Sequence, residues 1–231
     1  VPKYEDRKWR GELFARRVLP NYPATANSGV SIVEGVAHTG NKCMKVTGGV
    51  QPKFMQGRLK LEGGKEYQFS GWMSTPDNNF LMLNHLNILQ SGFVVEFFDA
   101  SGTLVSSTAF TQAETLQGTF IDDWQKFALN FQMPSNATYA SITLACADEY
   151  RVDTEPTQVT YYDDLRLQPR DGAMQTYVYN QENQRLEAML DDNNYATFYY
   201  YDDEGNLFLV KRETEKGIIT VQESRTYLQK N

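Results

Sequence analysis

Apolar and polar positions alternate with a period of two along most of the chain, and no stretch sustains the period of an amphipathic helix. Gln56-Gly57-Arg58-Leu59-Lys60-Leu61-Glu62 alternates up to Gly63-Gly64. Lys65-Glu66-Tyr67-Gln68-Phe69-Ser70-Gly71-Trp72-Met73 then resumes the pattern, with Tyr67 and Phe69 on one face. Two such runs about a glycine turn predict a β-hairpin. A second hairpin runs from Val94 to Phe98, turns at Asp99-Ala100-Ser101-Gly102 and returns from Thr103 to Phe110. Val30 to Val36, Lys42 to Thr47, Trp124 to Phe131, Thr138 to Cys146 and Gln158 to Leu167 add further strands. Short strands at this spacing, separated by turn residues, predict an all-β fold. The expectation is a jelly-roll β-sandwich over 27–169, preceded by an N-terminal extension or linker over 1–26. Asn79 to Leu89 fits neither period. It reads as a strand or loop closing one end of the core, or as an apolar lip beside a binding face.

After Pro169 the pattern changes. Residues 170–231 hold seven of the 14 tyrosines and none of the three tryptophans. Tyr177-Val178-Tyr179-Asn180, followed by Arg185-Leu186, is echoed by Tyr199-Tyr200-Tyr201-Asp202-Asp203-Glu204-Gly205-Asn206-Leu207. A period of 22 residues from Tyr179 to Tyr201 predicts stacked or meandering Tyr-rich β-hairpins over 170–231. Two such units have no core of their own, so they are expected to lean on the sandwich or on neighbouring modules.

Composition narrows the function classes. With 231 residues, 41% of them hydrophobic and 13% aromatic, the chain can bury a core and is not a disordered polymer. Its net charge is −7, and the region after Pro169 sets seven basic against eleven acidic residues. Neither part supplies the clustered Lys and Arg that a nucleic-acid partner requires. The densest apolar run, Phe93 to Phe98, is short and broken by Glu96, so no membrane insertion is expected. The chain opens on Val1-Pro2-Lys3 without a charged and apolar leader, which reads as a mature or excised segment. Two cysteines make no disulfide framework. Cys43 points away from Met44 and Val46, whereas Cys146 shares the apolar face of Ile142 and Leu144, so a bridge between them is disfavoured.

The reading is not an enzyme. Only His38, in a turn, and His85, in the apolar segment, are histidines, and both read as structural. A histidine triad or zinc cluster is therefore poorly supplied. Carboxylates pair at Asp122-Asp123, Asp163-Asp164, Asp191-Asp192 and Asp202-Asp203. Neighbours in a strand point to opposite faces, so none is automatically a glycosidase pair, and the last two doublets read as turns. On the final strand Asp163 has the parity of Leu165 and Leu167, which sends its carboxylate toward the core. There it needs a metal, backbone amides or a basic partner.

Four stretches carry a family likeness: His38 to Val46, Leu61 to Trp72, Asp123 to Phe127 with Phe131-Gln132-Met133-Pro134, and Tyr161 to Leu167. In this order they resemble the carbohydrate-binding modules of families 4 and 9, within the galactose-binding-domain-like jelly rolls. The resemblance implies a glycan partner and a structural calcium, with Asp163 as ligand beside backbone carbonyls of the Val36–Lys42 loop. Tyr201-Asp202-Asp203-Glu204-Gly205-Asn206-Leu207 resembles the RHS/YD repeats, although Asn180 replaces Asp in the first copy. That likeness implies an extracellular or cell-surface bacterial parent with further modules. Trp72 and Trp124 sit at the family's structural positions and are expected in the core. The remaining aromatic candidates for a sugar site are Trp9, Phe80, Tyr150 and Tyr162. The alternative is a structural or interaction scaffold with no glycan ligand, since a fold does not specify a function. Among Trp72, Trp124, Phe80, Tyr150 and Tyr162, a row of open rings beside polar amides would favour sugars; burial of all five would favour the scaffold.

Overall fold

The computed structural model describes residues 30–47, 53–74, 92–111, 116–144 and 159–224. The described residues form strands and no helices. The strands are β1 (Val30–Glu34), β2 (Lys42–Thr47), β3 (Lys53–Lys60), β4 (Glu66–Ser74), β5 (Gly92–Phe98), β6 (Leu104–Thr111), β7 (Leu116–Ile121) and β8 (Trp124–Gln132). They continue with β9 (Tyr139–Leu144), β10 (Val159–Pro169), β11 (Thr176–Tyr179), β12 (Leu186–Leu190), β13 (Ala196–Tyr201), β14 (Leu207–Thr214) and β15 (Gly217–Glu223). Strand β7 was not among the expected elements: its Leu116-Gln117-Gly118-Thr119-Phe120-Ile121 alternates too weakly to stand out.

Three sheets result. The first has the order β1-β2-β10-β4-β8-β7, the second β3-β9-β5-β6, and the third β11-β12-β13-β14-β15. The first two face each other as the expected sandwich. Alternate residues of the six-stranded sheet, among them Val46, Phe69, Met73, Phe127, Leu129 and Tyr162, meet Phe93, Val95, Phe97, Ile142 and Leu144 of the four-stranded sheet. Phe93 stacks on Phe127 across the gap, with ring centroids 4.7 Å apart. Gly71 belongs to this inner face. A Cβ there would lie 2.6 Å from Leu165 Cδ2 and 2.9 Å from Phe127 Cζ, so the bulky neighbours require a residue with no side chain.

The alternation on β10 breaks once. Asp164 takes a left-handed backbone conformation (φ 48°), and the pairing with β4 shifts between Asp163 and Arg166. Such a bulge re-phases every side chain beyond it. Tyr162 lies opposite Met73 and faces the core, Asp163 lies opposite Trp72, and Leu167 lies opposite Phe69. Asp163 therefore shares the outer face with Trp72, while Leu165 and Leu167 pack on the core. The expected parity of Asp163 with the two leucines is thus corrected by one inserted residue.

The third sheet is a meander of two matched hairpins followed by one more strand. Tyr179 pairs with Leu186 and Tyr201 with Leu207, each just beyond a register shift. The hairpin ends close in the same way, Asn180 N donating to Arg185 O at 2.8 Å and Asp202 N to Asn206 O at 3.0 Å. The sequence echo is a repeated hairpin. This sheet does not extend the sandwich edge to edge. It lies over the outer face of the six-stranded sheet, making a third layer. Cys43, Trp72, Ile121 and Trp124 are buried there against Tyr195 and Ile218. Both tryptophans are buried as expected, but between the six- and five-stranded sheets rather than inside the sandwich. Cys43, expected on an open outer face, is buried for the same reason.

Candidate functional site

The junction of the layers is built around His38. The loop from Gly35 to Asn41 turns on two left-handed glycines, Gly35 (φ 81°) and Gly40 (φ 66°), and is closed by Gly35 N donating to Asn41 O at 3.0 Å. This directs the His38 ring into the outer layer, where it stacks on Trp72 with centroids 4.1 Å apart and planes 16° from parallel. Trp124 meets it edge-on at 5.7 Å. Both ring nitrogens meet carboxylates: Nδ1 lies 2.7 Å from Asp164 Oδ2 and Nε2 lies 2.8 Å from Glu213 Oε1. Asp164 comes from β10 of the sandwich and Glu213 from β14 of the third layer. Burial alone would lower the imidazole pKa. The hydrogen bonds and charges of Asp164 and Glu213 outweigh it and raise the pKa to about 9. The ring is an imidazolium between two anions.

Other polar contacts span the same junction. Trp72 Nε1 donates to Asn194 O at 2.7 Å, and Asn194 Nδ2 donates to Asp164 O at 3.0 Å. Arg166 donates to the carbonyls of Met174, Leu190 and Asp191. Lys126 lies 4.5 Å from the centre of the Tyr195 ring, and burial pushes its ammonium pKa down. Glu213 Oε2 accepts from Ala196 N at 2.6 Å, which orients the carboxylate toward His38. Sequence reading assigned His38 a structural role but could not find Asp164 and Glu213 as its partners. They lie 126 and 175 residues away along the chain, and no local pattern links them.

Asp163 has a different environment from the one a cation needs. Its Oδ2 accepts from His38 N at 2.8 Å and Thr39 N at 3.4 Å, and its Oδ1 accepts from Asp164 N at 2.8 Å. The loop turns amide N–H groups toward the carboxylate, and an imidazolium lies alongside. The Asp163 oxygens face backbone N–H groups and those of Asp164 face His38 Nδ1 and Thr39 Oγ1, a donor-rich surrounding that does not fit calcium, which gathers oxygen ligands.

The expected sugar-site residues divide as follows. Tyr162 is 1% exposed and fills the sandwich core, edge-on to Phe127, so neither ring face is open to a ligand. Trp9, Phe80, Tyr150, His85 and Cys146 lie outside the described residues, as does the Asn79–Leu89 segment. The last two acidic doublets behave as turn formers: Asp191 Oδ1 accepts from Asn193 N and Tyr195 N, and Asp202 Oδ1 from Asn206 N.

What the sheet face lacks, a cleft supplies. Where the β1–β2 edge meets the β11–β12 hairpin, a polar cavity of about 300 Å³ opens between layers. Asn41 and Lys42 line it from the sandwich, and Tyr179, Asn180, Glu182 and Glu187 from the third sheet. Asn180 is held by its own turn, its Oδ1 accepting from Glu182 N and Asn183 N and its Nδ2 donating to Glu187 Oε1 at 2.8 Å. Lys42 Nζ lies 2.8 Å from Glu34 Oε1 at the rim. Amides, carboxylates, an ammonium and a phenol thus converge on one space, a donor and acceptor set suited to a small polar ligand.

No known family matches the sequence, and no curated protein does. Solved structures similar to it include a family 16 carbohydrate-binding module, at 20% identity and a TM-score of 0.38, covering 66% of this chain and 94% of that one. The family 22 xylan-binding domain of a Paenibacillus barcinonensis protein is 15% identical with a TM-score of 0.38, covering 68% and 96%. A Clostridium thermocellum endo-1,4-β-D-xylanase, its carbohydrate-binding and catalytic modules complexed with xylohexaose, is 16% identical with a TM-score of 0.39. That match covers 62% of this chain, which in turn spans only 24% of the xylanase structure.

Proposed function

We propose that this chain is a non-catalytic carbohydrate-binding-type module of a larger secreted or cell-surface bacterial protein, and that the glycan is held in the cleft between the layers. The observation that carries this reading is the cleft itself, where fixed amides and carboxylates converge beside Tyr179 and Lys42. Hydroxyl groups both donate and accept, and a mixed set of this kind satisfies them better than a single-sign patch does. The outer face of the six-stranded sheet offers no open tryptophan for stacking, because Trp72 and Trp124 are buried against the third layer.

The test is calorimetry of the intact chain against a panel of oligosaccharides, with Asn180→Ala as the cleft variant. Binding that Asn180→Ala weakens about tenfold, the equivalent of one well-made polar contact, supports the reading. Binding unaffected by Asn180→Ala, or none to any glycan, overturns it.

One observation favours the second reading, a scaffold without a glycan ligand. Trp72, Trp124 and Tyr162 are all buried, at 0%, 6% and 1% exposure, and the tryptophans lock two layers together. Under that reading the third sheet is a rigid spacer between neighbouring modules. A chain that binds no glycan, yet loses its cooperative melt when the third sheet is removed, would establish it.

A further inference from the structure

We propose that the solvent-facing side of the five-stranded sheet is a stacking platform for a uronate-bearing polysaccharide, separate from the cleft. The inference rests on the glycan-binding reading, and its test distinguishes the two. Register places Tyr177, Met189, Thr197, Arg212 and Ile219 in one row across all five strands. Glu213, the next residue on β14, points the opposite way to His38, so this row faces away from the sandwich. Tyr177 is 38% exposed and Ile219 51%. Tyr199 lies two residues beyond Thr197 on the same face, opposite Val210. Its phenol is raised by partial burial first and then by the phenols of Tyr201 and Tyr177, with Arg212 acting against them. Alternation along β13 sets Tyr201 on that face as well, so the three tyrosines share one face of the sheet. Tyr177 and Tyr199 stand two strands apart, about 10 Å, which suits alternate rings of an extended polysaccharide.

Charge selects the class of ligand. The protein as a whole is acidic, and Glu187 has the parity of Met189, its carboxylate held by Asn180 Nδ2 at 2.8 Å; yet the tyrosines are also flanked by Arg212 and Arg185, the latter with its guanidinium 5.6 Å from the centre of the Tyr201 ring. The same guanidinium covers Gly205, where a Cβ would come within 2.1 Å of it. Arg212 has Thr197 and Ile219 as cross-strand neighbours and Val210 and Thr214 beside it on its own strand, none of them acidic. Ring faces stack on the C–H faces of sugars, and a guanidinium makes paired hydrogen bonds with a carboxylate. A neutral glycan would use the first feature alone; a uronate uses both.

Affinity electrophoresis of the intact chain tests this, in gels containing polygalacturonate, xylan or single-stranded DNA. The expected result is retardation by polygalacturonate that weakens with salt. The double variant Tyr177→Ala/Tyr199→Ala should lose about tenfold or more in affinity, and Arg212→Gln should weaken polygalacturonate binding without affecting xylan. Melting curves by circular dichroism identify a variant that has lost its fold. Should the double variant melt early, Arg212→Gln, an exposed position, carries the test. Equal retardation of wild type and variants, or stronger retardation by DNA, overturns the platform. Xylan binding abolished by Asn180→Ala, with no retardation by polygalacturonate, removes the platform and leaves the cleft. Polygalacturonate binding lost in the tyrosine variant but kept in Asn180→Ala supports the platform, and it removes the cleft if no other glycan's binding depends on Asn180. No retardation by any glycan overturns both.

Discussion

At the scale of single residues, His38 and Gly71 have the sharpest consequences. His38 is charged in the folded protein up to about pH 9, against 6.5 for the free side chain. A raised pKa means that the folded state binds the proton more tightly. The stabilisation is complete below about pH 6.5 and is lost as pH rises through about 9, with a magnitude on the order of 3 kcal/mol. Urea unfolding between pH 6 and 10 should show that decline, and His38→Gln should remove it. Glu213→Ala should cost about 3 kcal/mol or more, because it leaves a buried imidazolium with one counter-charge fewer. Gly71→Ala acts through sterics instead. The new methyl would meet Leu165 and Phe127 inside the core, and a loss of about 1–3 kcal/mol in denaturant unfolding is expected.

At the scale of elements, the bulge at Asp164 and the loop from Gly35 to Asn41 work as a pair. The bulge turns Asp163 outward, and the loop offers its amides to that carboxylate. Because N–H donors already satisfy Asp163, adding calcium or a chelator should leave the melting temperature of the intact chain unchanged. A rise of several degrees with calcium would show a binding site at odds with this geometry. The hairpins after Pro169 were readable as a repeat from tyrosine spacing alone, since a matched register requires a matched spacing of Tyr and Leu. Their docking surface was not readable. Thr176, Val178, Leu190 and Ala196 look like an ordinary strand face, and nothing local says which sheet they cover.

At the scale of the molecule, three β-layers depend on one another. Removing residues 170–231 should expose Trp72 and Trp124 to water, shift tryptophan fluorescence to longer wavelength, and lower the melting temperature. An unchanged spectrum and melt would mean that the third layer is only loosely attached. The alternation from Val30 to Leu167 determined the all-β sandwich by itself, because a period of two sorts side chains onto two faces without reference to distant residues. The burial of the two strand tryptophans was expected from the family likeness and their size, and Asp191 and Asp202 were expected in turns from turn chemistry. The sequence could not determine what buries the tryptophans. Alternation gives the face of a strand but not the partner of that face. Here the polar-looking outer face, with His38, Lys126, Asp163 and Arg166, became a second interior once the meander folded over it. Only tertiary structure brings Asp164 and Glu213 to the two nitrogens of one ring, since charge pairing between distant segments depends on geometry that no local pattern encodes.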